Sequence, residues 1–209
     1  MKSTADGFVA RSFFLTVVLM ALTLLAGPAL AQKAERPAVK VGDRWVFEQH
    51  MDARVVQREW VVTSVMRTLI GATENGHALV LTRDLNPVAT PAGRHSNEVL
   101  LKFPLEVGKR WSFSDDYVIH DPSFGDLKGY ADFDAVVTGY EKVKVPAGEF
   151  EAFKIELKGK WLSPQTPGPG ETDWTCWYAP AARAIVKKDR RASYMPHLSE
   201  VLLSFQLQP

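Results

Sequence analysis

Few groupings of residues in this chain could carry chemistry, and their spacing separates them. His50, His77, His95, His120 and His197 are scattered and form no H-E-x-x-H pair. The lone Cys176 cannot complete a Cys/His zinc set, and it reads as a small buried apolar residue. No G-x-S-x-G elbow occurs; Ser123 lacks that setting. His120 and Asp121 are adjacent, so on a strand they point to opposite faces. Asp115, Asp116, Asp121, Asp126, Asp132 and Asp134 crowd one segment, as a hard cation such as Ca²⁺ would prefer, but not at EF-hand spacing. That segment is expected to be a solvated loop. Phosphate-binding glycine loops are missing. No catalytic residue, metal ligand or cofactor is assigned, and hydrolysis is the weakest functional expectation.

Two groupings remain. Arg183, Lys187, Lys188, Arg190 and Arg191 form the one basic cluster, a candidate contact for anionic groups such as lipid head groups or lipopolysaccharide phosphates. A plain solvated strand edge, where lysines discourage pairing, is its other reading. The second grouping is aromatic: Trp45, Trp60, Trp111, Trp161, Trp174 and Trp177, with five tyrosines. Tryptophans fill cores, and on a concave sheet they also line grooves for acyl chains, glycans or peptides. Trp45, Phe47, Trp111, Phe113 and Phe153 are the candidates for such a face. Trp174 and Trp177 have opposite parity, so only a bulge would let both face it.

The elements that must position these residues are strands. Phe153, Ile155 and Leu157 alternate with Lys154, Glu156 and Lys158, the pattern of a half-buried strand. Val201, Leu203, Phe205 and Leu207 alternate in the same way. Trp60–Met66, Ala78–Thr82, Glu98–Phe103, Trp174–Tyr178 and Ala184–Lys188 are further strand candidates. Turns fall at Glu74-Asn75-Gly76, Asn86-Pro87, Pro146-Ala147-Gly148 and Ala179-Pro180, and residues 163–170 form a proline-rich hairpin loop. Ala179–Ala184 has room for one short helical turn. A pattern, V-G-x-R-W-x-F, occurs at Val41–Phe47 and again at Val107–Phe113, followed in each case by a Val-Val-Thr echo (Val61-Val62-Thr63 and Val136-Val137-Thr138). The fold class that follows is all-β: one antiparallel curved sheet, half-barrel or lipocalin-like barrel, from two related meanders if the repeat is a duplication.

The chain has 209 residues, 46% hydrophobic, with formal net charge +1. This composition excludes intrinsic disorder and gives no global attraction to nucleic acid. Lys2 and Arg11, the apolar run Phe13–Leu25 and Ala29-Leu30-Ala31 form the three-part pattern of a secretory signal peptide, with cleavage expected before Gln32. Pro28 stands where a lipoprotein box needs cysteine, so no lipid anchor is expected. Residues 32–39 read as a loose tail and 40–209 as one β domain, soluble and exported to a bacterial periplasm, with no further transmembrane segment.

Three motifs carry a family resemblance: Leu101–Leu105 running into Val107–Trp111, Val145–Ile155, and Trp177-Tyr178-Ala179-Pro180 followed by Ile185-Val186-Lys187. The chain resembles a TapB-like group of exported bacterial proteins of unknown function. That resemblance implies a curved sheet or half-barrel open on one side, similar to periplasmic carriers of acyl chains, and brings no catalytic residues. Arg183-Ala184 stands where the last motif has glycine. The functional expectation is a non-catalytic exported β-domain. It would bind a lipid-like ligand on an aromatic concave face or, alternatively, pair exposed strand edges with an envelope protein.

Overall fold

The computed structural model describes residues 32–121 and 125–209; the expected leader, residues 1–31, and Ser123 lie outside them. Fourteen strands follow one another: β1 (Lys33–Ala34), β2 (Arg44–Met51), β3 (Arg54–Val65), β4 (Leu69–Glu74), β5 (His77–Thr82), β6 (Pro87–Thr90), β7 (Gly93–His95), β8 (Leu105–Glu106), β9 (Arg110–Asp121), β10 (Gly125–Val145), β11 (Gly148–Leu162), β12 (Gly170–Ala179), β13 (Ala184–Ala192) and β14 (Leu198–Gln206). One 3₁₀ turn, Pro180–Ala182, joins β12 to β13, as the sequence suggests. Twelve strands pair antiparallel, each with its chain neighbours, and the ring closes through β7–β9 and β14–β2. The curved sheet is thus a complete up-and-down barrel.

Closure has a consequence for partners. Every barrel strand has a hydrogen-bonded neighbour on both sides. Among the described residues no barrel strand is left as a wholly unpaired edge for another protein's strand.

The repeated motif has a structural meaning. Gly42 (φ +90°) and Gly108 (φ +91°) both adopt left-handed turns that lead into β2 and β9. The Gly42 amide donates to Val62 O and the Val62 amide to Asp43 O, both at 2.9 Å. The second copy reproduces this, Gly108 to Val137 O at 2.8 Å and Val137 to Lys109 O at 2.9 Å. The register of β3 then slips between Val62 and Ser64, and that of β10 between Val137 and Gly139. The Val-Val-Thr echo is therefore the partner strand of the turn, with a bulge at its threonine. Each copy opens a run of six barrel strands, β2–β7 and β9–β14.

Three other expectations change. The aspartate-rich segment is not a loop but the long β9–β10 hairpin, in which strand alternation spreads the carboxylates over both faces. Ser112 and Ser114 hold Asp134 and Asp132 at 2.6 Å across that hairpin. Residues 98–103 are not a strand. Asn86, almost fully buried, receives the Leu101 amide on Oδ1 (2.8 Å) and donates Nδ2 to the Leu101 carbonyl (2.7 Å), and Trp111 Nε1 donates to Val99 O (2.8 Å). Side chains thereby satisfy the backbone of a segment that lies inside rather than in the sheet. Its Leu100 and Leu101, with the neighbouring Leu105, are core. Finally, residues 32–39 are docked: β1 pairs with β8, Ala34 and Val39 are buried, and Arg36 pairs with Asp84.

The strand registers give the barrel two different ends. Asp43, the Pro146-Ala147 hairpin, the 3₁₀ turn and Leu101 gather at one end, where Val145, Ala179 and Ala182 are buried and form a floor. The other end carries the β2–β3, β4–β5, β6–β7, β11–β12 and β13–β14 connections and forms a mouth. Outward positions are charged, as in Lys154, Glu156, Lys158 and Lys160 of β11. A bilayer-spanning barrel carries the reverse pattern. Among the described residues no helix is long and apolar enough to cross a membrane.

Candidate functional site

Barrel diameter grows with strand number, and about eight strands enclose a space that side chains can fill. Twelve strands enclose more. The residues that close the gap form two buried clusters, one around Trp45, Phe47, Val62 and Ile70, the other around Trp111, Phe113, Phe133, Phe153 and Leu157. Between them lies a cavity of about 670 Å³, within the range of small-molecule sites. Residues from the mouth line it too, including Met51, Thr90, Ile119, Ala192 and Met195.

Its apolar wall is aromatic. Phe47 meets Trp60 edge to face (5.4 Å), Phe133 meets Trp174 edge to face (6.4 Å), and Trp161 meets Tyr194 near the mouth (6.0 Å). Such pairs stiffen the wall beyond the area they bury.

A polar row runs across β13, β14, β2, β3 and β4, beside Phe47 and Trp60 on the same strands. Glu200 of β14 lies between Lys188 of β13 and Gln49 of β2 in register. Glu200 Oε2 accepts from Arg58 Nη1 (2.6 Å) and Gln49 Nε2 (3.1 Å), and Oε1 from Lys188 (3.0 Å). Arg58 also grips Glu74 with Nε (2.9 Å) and Nη2 (2.8 Å), and Trp60 Nε1 donates to the same carboxylate (3.1 Å). Burial alone would raise the Glu200 pKa, but Lys188 and Arg58 outweigh it and hold the carboxyl below its ordinary value. Desolvation likewise opposes the charge on Arg58, and its two carboxylates more than restore it.

A second polar group faces the cavity. His95 Nδ1 lies 2.7 Å from Asp115 Oδ2, and Asp115 Oδ1 accepts from the Asn97 amide (2.9 Å) and Ser96 Oγ (3.2 Å). Burial opposes protonation of His95, yet the Asp115 hydrogen bond and the charges of Glu98 and Asp115 leave its pKa raised. Burial pushes the neighbouring Glu98 carboxyl upward, toward its neutral form. No serine or cysteine is among the described residues lining the cavity. Cys176 lies in the core, its thiol pushed up to about 12 by burial, so it is unreactive at neutral pH. Among the described residues no group of three or more His, Cys, Asp or Glu is placed to hold a metal ion.

The structure divides both predicted sets. Trp45 and Phe47 line the cavity, whereas Trp111, Phe113 and Phe153 sit in the second cluster behind its wall. Phe113 stacks on Phe133 (4.9 Å), and Phe153 meets Tyr140 (4.6 Å). The five basic residues make no single patch, because strand alternation separates them. Lys188 and Arg190 point into the cavity. Lys187 lies over the outer face of Trp177 (4.7 Å), and Arg191 is exposed. Arg183 reaches Asp43 (3.2 Å) from a left-handed backbone (φ 51°), the conformation that the glycine of the related motif would adopt more easily. Trp174 faces in and Trp177 out, where it donates to Glu141 (2.7 Å).

Sequence reasoning missed the inward Arg58, Glu74 and Glu200. A signal was present: Arg58 shares the parity of Trp60 and Val62, and Glu200 that of Leu198 and Leu202. A charge in the apolar phase of an alternating strand is a buried charge.

No family model matches the chain, and no curated protein matches it. Among solved structures it is similar to the hypothetical lipoprotein YmcC from Escherichia coli (TM-score 0.52, 10% identity, 80% of this chain and 85% of that one). A protein with YmcC-like fold from Bacteroides fragilis (TM-score 0.47, 14% identity) covers 83% of this chain and 99% of its own. The TapB-like resemblance is therefore corrected: short turn-and-strand motifs suggested it, and the solved structure that shares this architecture is that of YmcC. At 10% identity this likeness establishes the fold alone, a YmcC-like all-β barrel.

Proposed function

We propose that this is an exported, non-catalytic barrel that holds an amphipathic, lipid-like molecule in its interior. The observation that carries the reading is the 670 Å³ cavity. Its aromatic wall suits an acyl chain, and the inward-facing Arg190 suits a polar head group. Export rests on the leader pattern of residues 1–31.

The His95–Asp115 pair beside Glu98 favours one second reading, hydrolysis by an activated water, and a single experiment separates the two. Titration with oleate is expected to change the fluorescence of the cavity tryptophans and saturate at one ligand per chain. Ala192→Trp, which fills the mouth, is expected to abolish the change. An acyl ester incubated with the protein is expected to be recovered intact. Cleavage products that disappear in His95→Gln would replace holding with hydrolysis, and a flat titration would defeat the acyl reading.

A further inference from the structure

The cavity's cations are unequally matched. Arg58 and Lys188 are paired with carboxylates at 3.0 Å or less, and Arg183 holds Asp43 at 3.2 Å. Arg190, on β13 one inward position from Lys188 toward the mouth, has no ion pair among the described residues. Its one hydrogen bond there is Nη2 to the Pro196 carbonyl, at 3.3 Å. The guanidinium carbon lies 5.8 Å from the ring centroid of Trp174, its cross-strand neighbour. Its Nε is buried with no acceptor.

Among the described residues, only two buried side-chain polar atoms lack a hydrogen-bond partner, Arg190 Nε and Trp161 Nε1. Both are donors, and both residues line this cavity. Buried donors without acceptors are rare because their desolvation is not offset. Of the two, Arg190 carries a charge, and among the described residues no carboxylate pairs with it. Glu98 also lines the cavity, and it forms no ion pair with Arg190, Lys188 or His95 among the described residues.

We infer that the ligand's polar end is an anionic group, a carboxylate or a phosphate monoester, seated on Arg190 against the face of Trp174. This rests on the cavity being a ligand site, as proposed above. A planar guanidinium presents a fork of donors that either anion can accept in pairs, and the aromatic face shields the pair from water.

Calorimetric titration with oleate, dodecyl phosphate and methyl oleate tests the inference. Wild-type protein is expected to bind at least one of the two anions about tenfold or more tightly than the uncharged ester; the tighter of the two anions identifies the head group. Arg190→Met should remove that advantage and leave the binding of methyl oleate unchanged. Arg190→Lys, which keeps the charge and loses the fork, should fall between and serves if the methionine variant does not fold. Arg191→Met, on the outer face of the same strand, should behave as wild type. Equal affinity for the ester and both anions, or full anion affinity in both Arg190 variants, overturns the head-group assignment while the cavity reading stands. Failure of all three probes to bind overturns both.

Discussion

Replacing Arg58 by methionine is expected to lower the stability of the barrel by about 3–5 kcal/mol, the cost of removing one partner from a buried charge network. Among the described residues Arg58 is the only cation that touches both Glu74 and Glu200, and the side chains of all three are largely buried. Without it, Glu200 keeps Lys188 and the Gln49 amide, and Glu74 keeps the Trp60 indole. For a domain of this size such a loss lowers Tm by roughly 10 °C. Urea unfolding followed by tryptophan fluorescence measures it. Lys154→Met, which breaks the surface pair with Glu156, should cost less than about 1 kcal/mol. Acid should reproduce part of the effect. The folded-state pKa of Glu200 is depressed, so its contribution is complete above the ordinary carboxylate range and disappears as pH falls through the folded value. Glu200→Gln is expected to flatten that acid limb.

Trp45→Ala should be comparably damaging, at about 3–5 kcal/mol, because a large aromatic is removed from the core. Trp45 is 2% exposed, and its Nε1 donates to the Ala182 carbonyl at 2.8 Å. That bond ties β2 to the 3₁₀ turn and so to the floor. The indole therefore holds the site's frame in place as well as lining it. Trp45→Phe keeps most of the buried area and loses the bond, so a cost of about 1–2 kcal/mol is expected. Thermal unfolding of the two variants separates packing from hydrogen bonding.

The strands were legible because alternation is a local property. β11 is written out in Phe153–Leu157, and the Pro146-Ala147 and Asn75-Gly76 turns fall where their residues require. The V-G-x-R-W-x-F repeat marked the starts of both six-strand runs. The choice between half-barrel and closed barrel was left open, because closure depends on the short β6 and β7 pairing onward to β9, and three residues carry too little pattern. Residues 98–103 misled for the opposite reason. Their apolar run suits a strand, but Asn86, distant in sequence, captures the Leu101 backbone before any strand can.

The cavity lining was partly legible. Trp45 and Phe47 line it, as aromatics at strand spacing on an inner face would. Lys188 and Arg190, read as part of one basic cluster, are turned inward by strand parity, which leaves Lys187 and Arg191 outside. The row of Arg58, Glu74, Gln49 and Glu200 draws on four strands that only the closed register brings side by side. Charge composition could not reveal it, since the row is nearly neutral within itself.

The central claim is that the barrel interior holds a lipid-like ligand, and native mass spectrometry after incubation with bacterial envelope lipids tests it most directly. The account predicts one lipid adduct per chain, anionic and retained through desalting, and no adduct on Ala192→Trp. A wild-type spectrum showing only the bare chain, or adducts equally abundant on the mouth-filled variant, would contradict it.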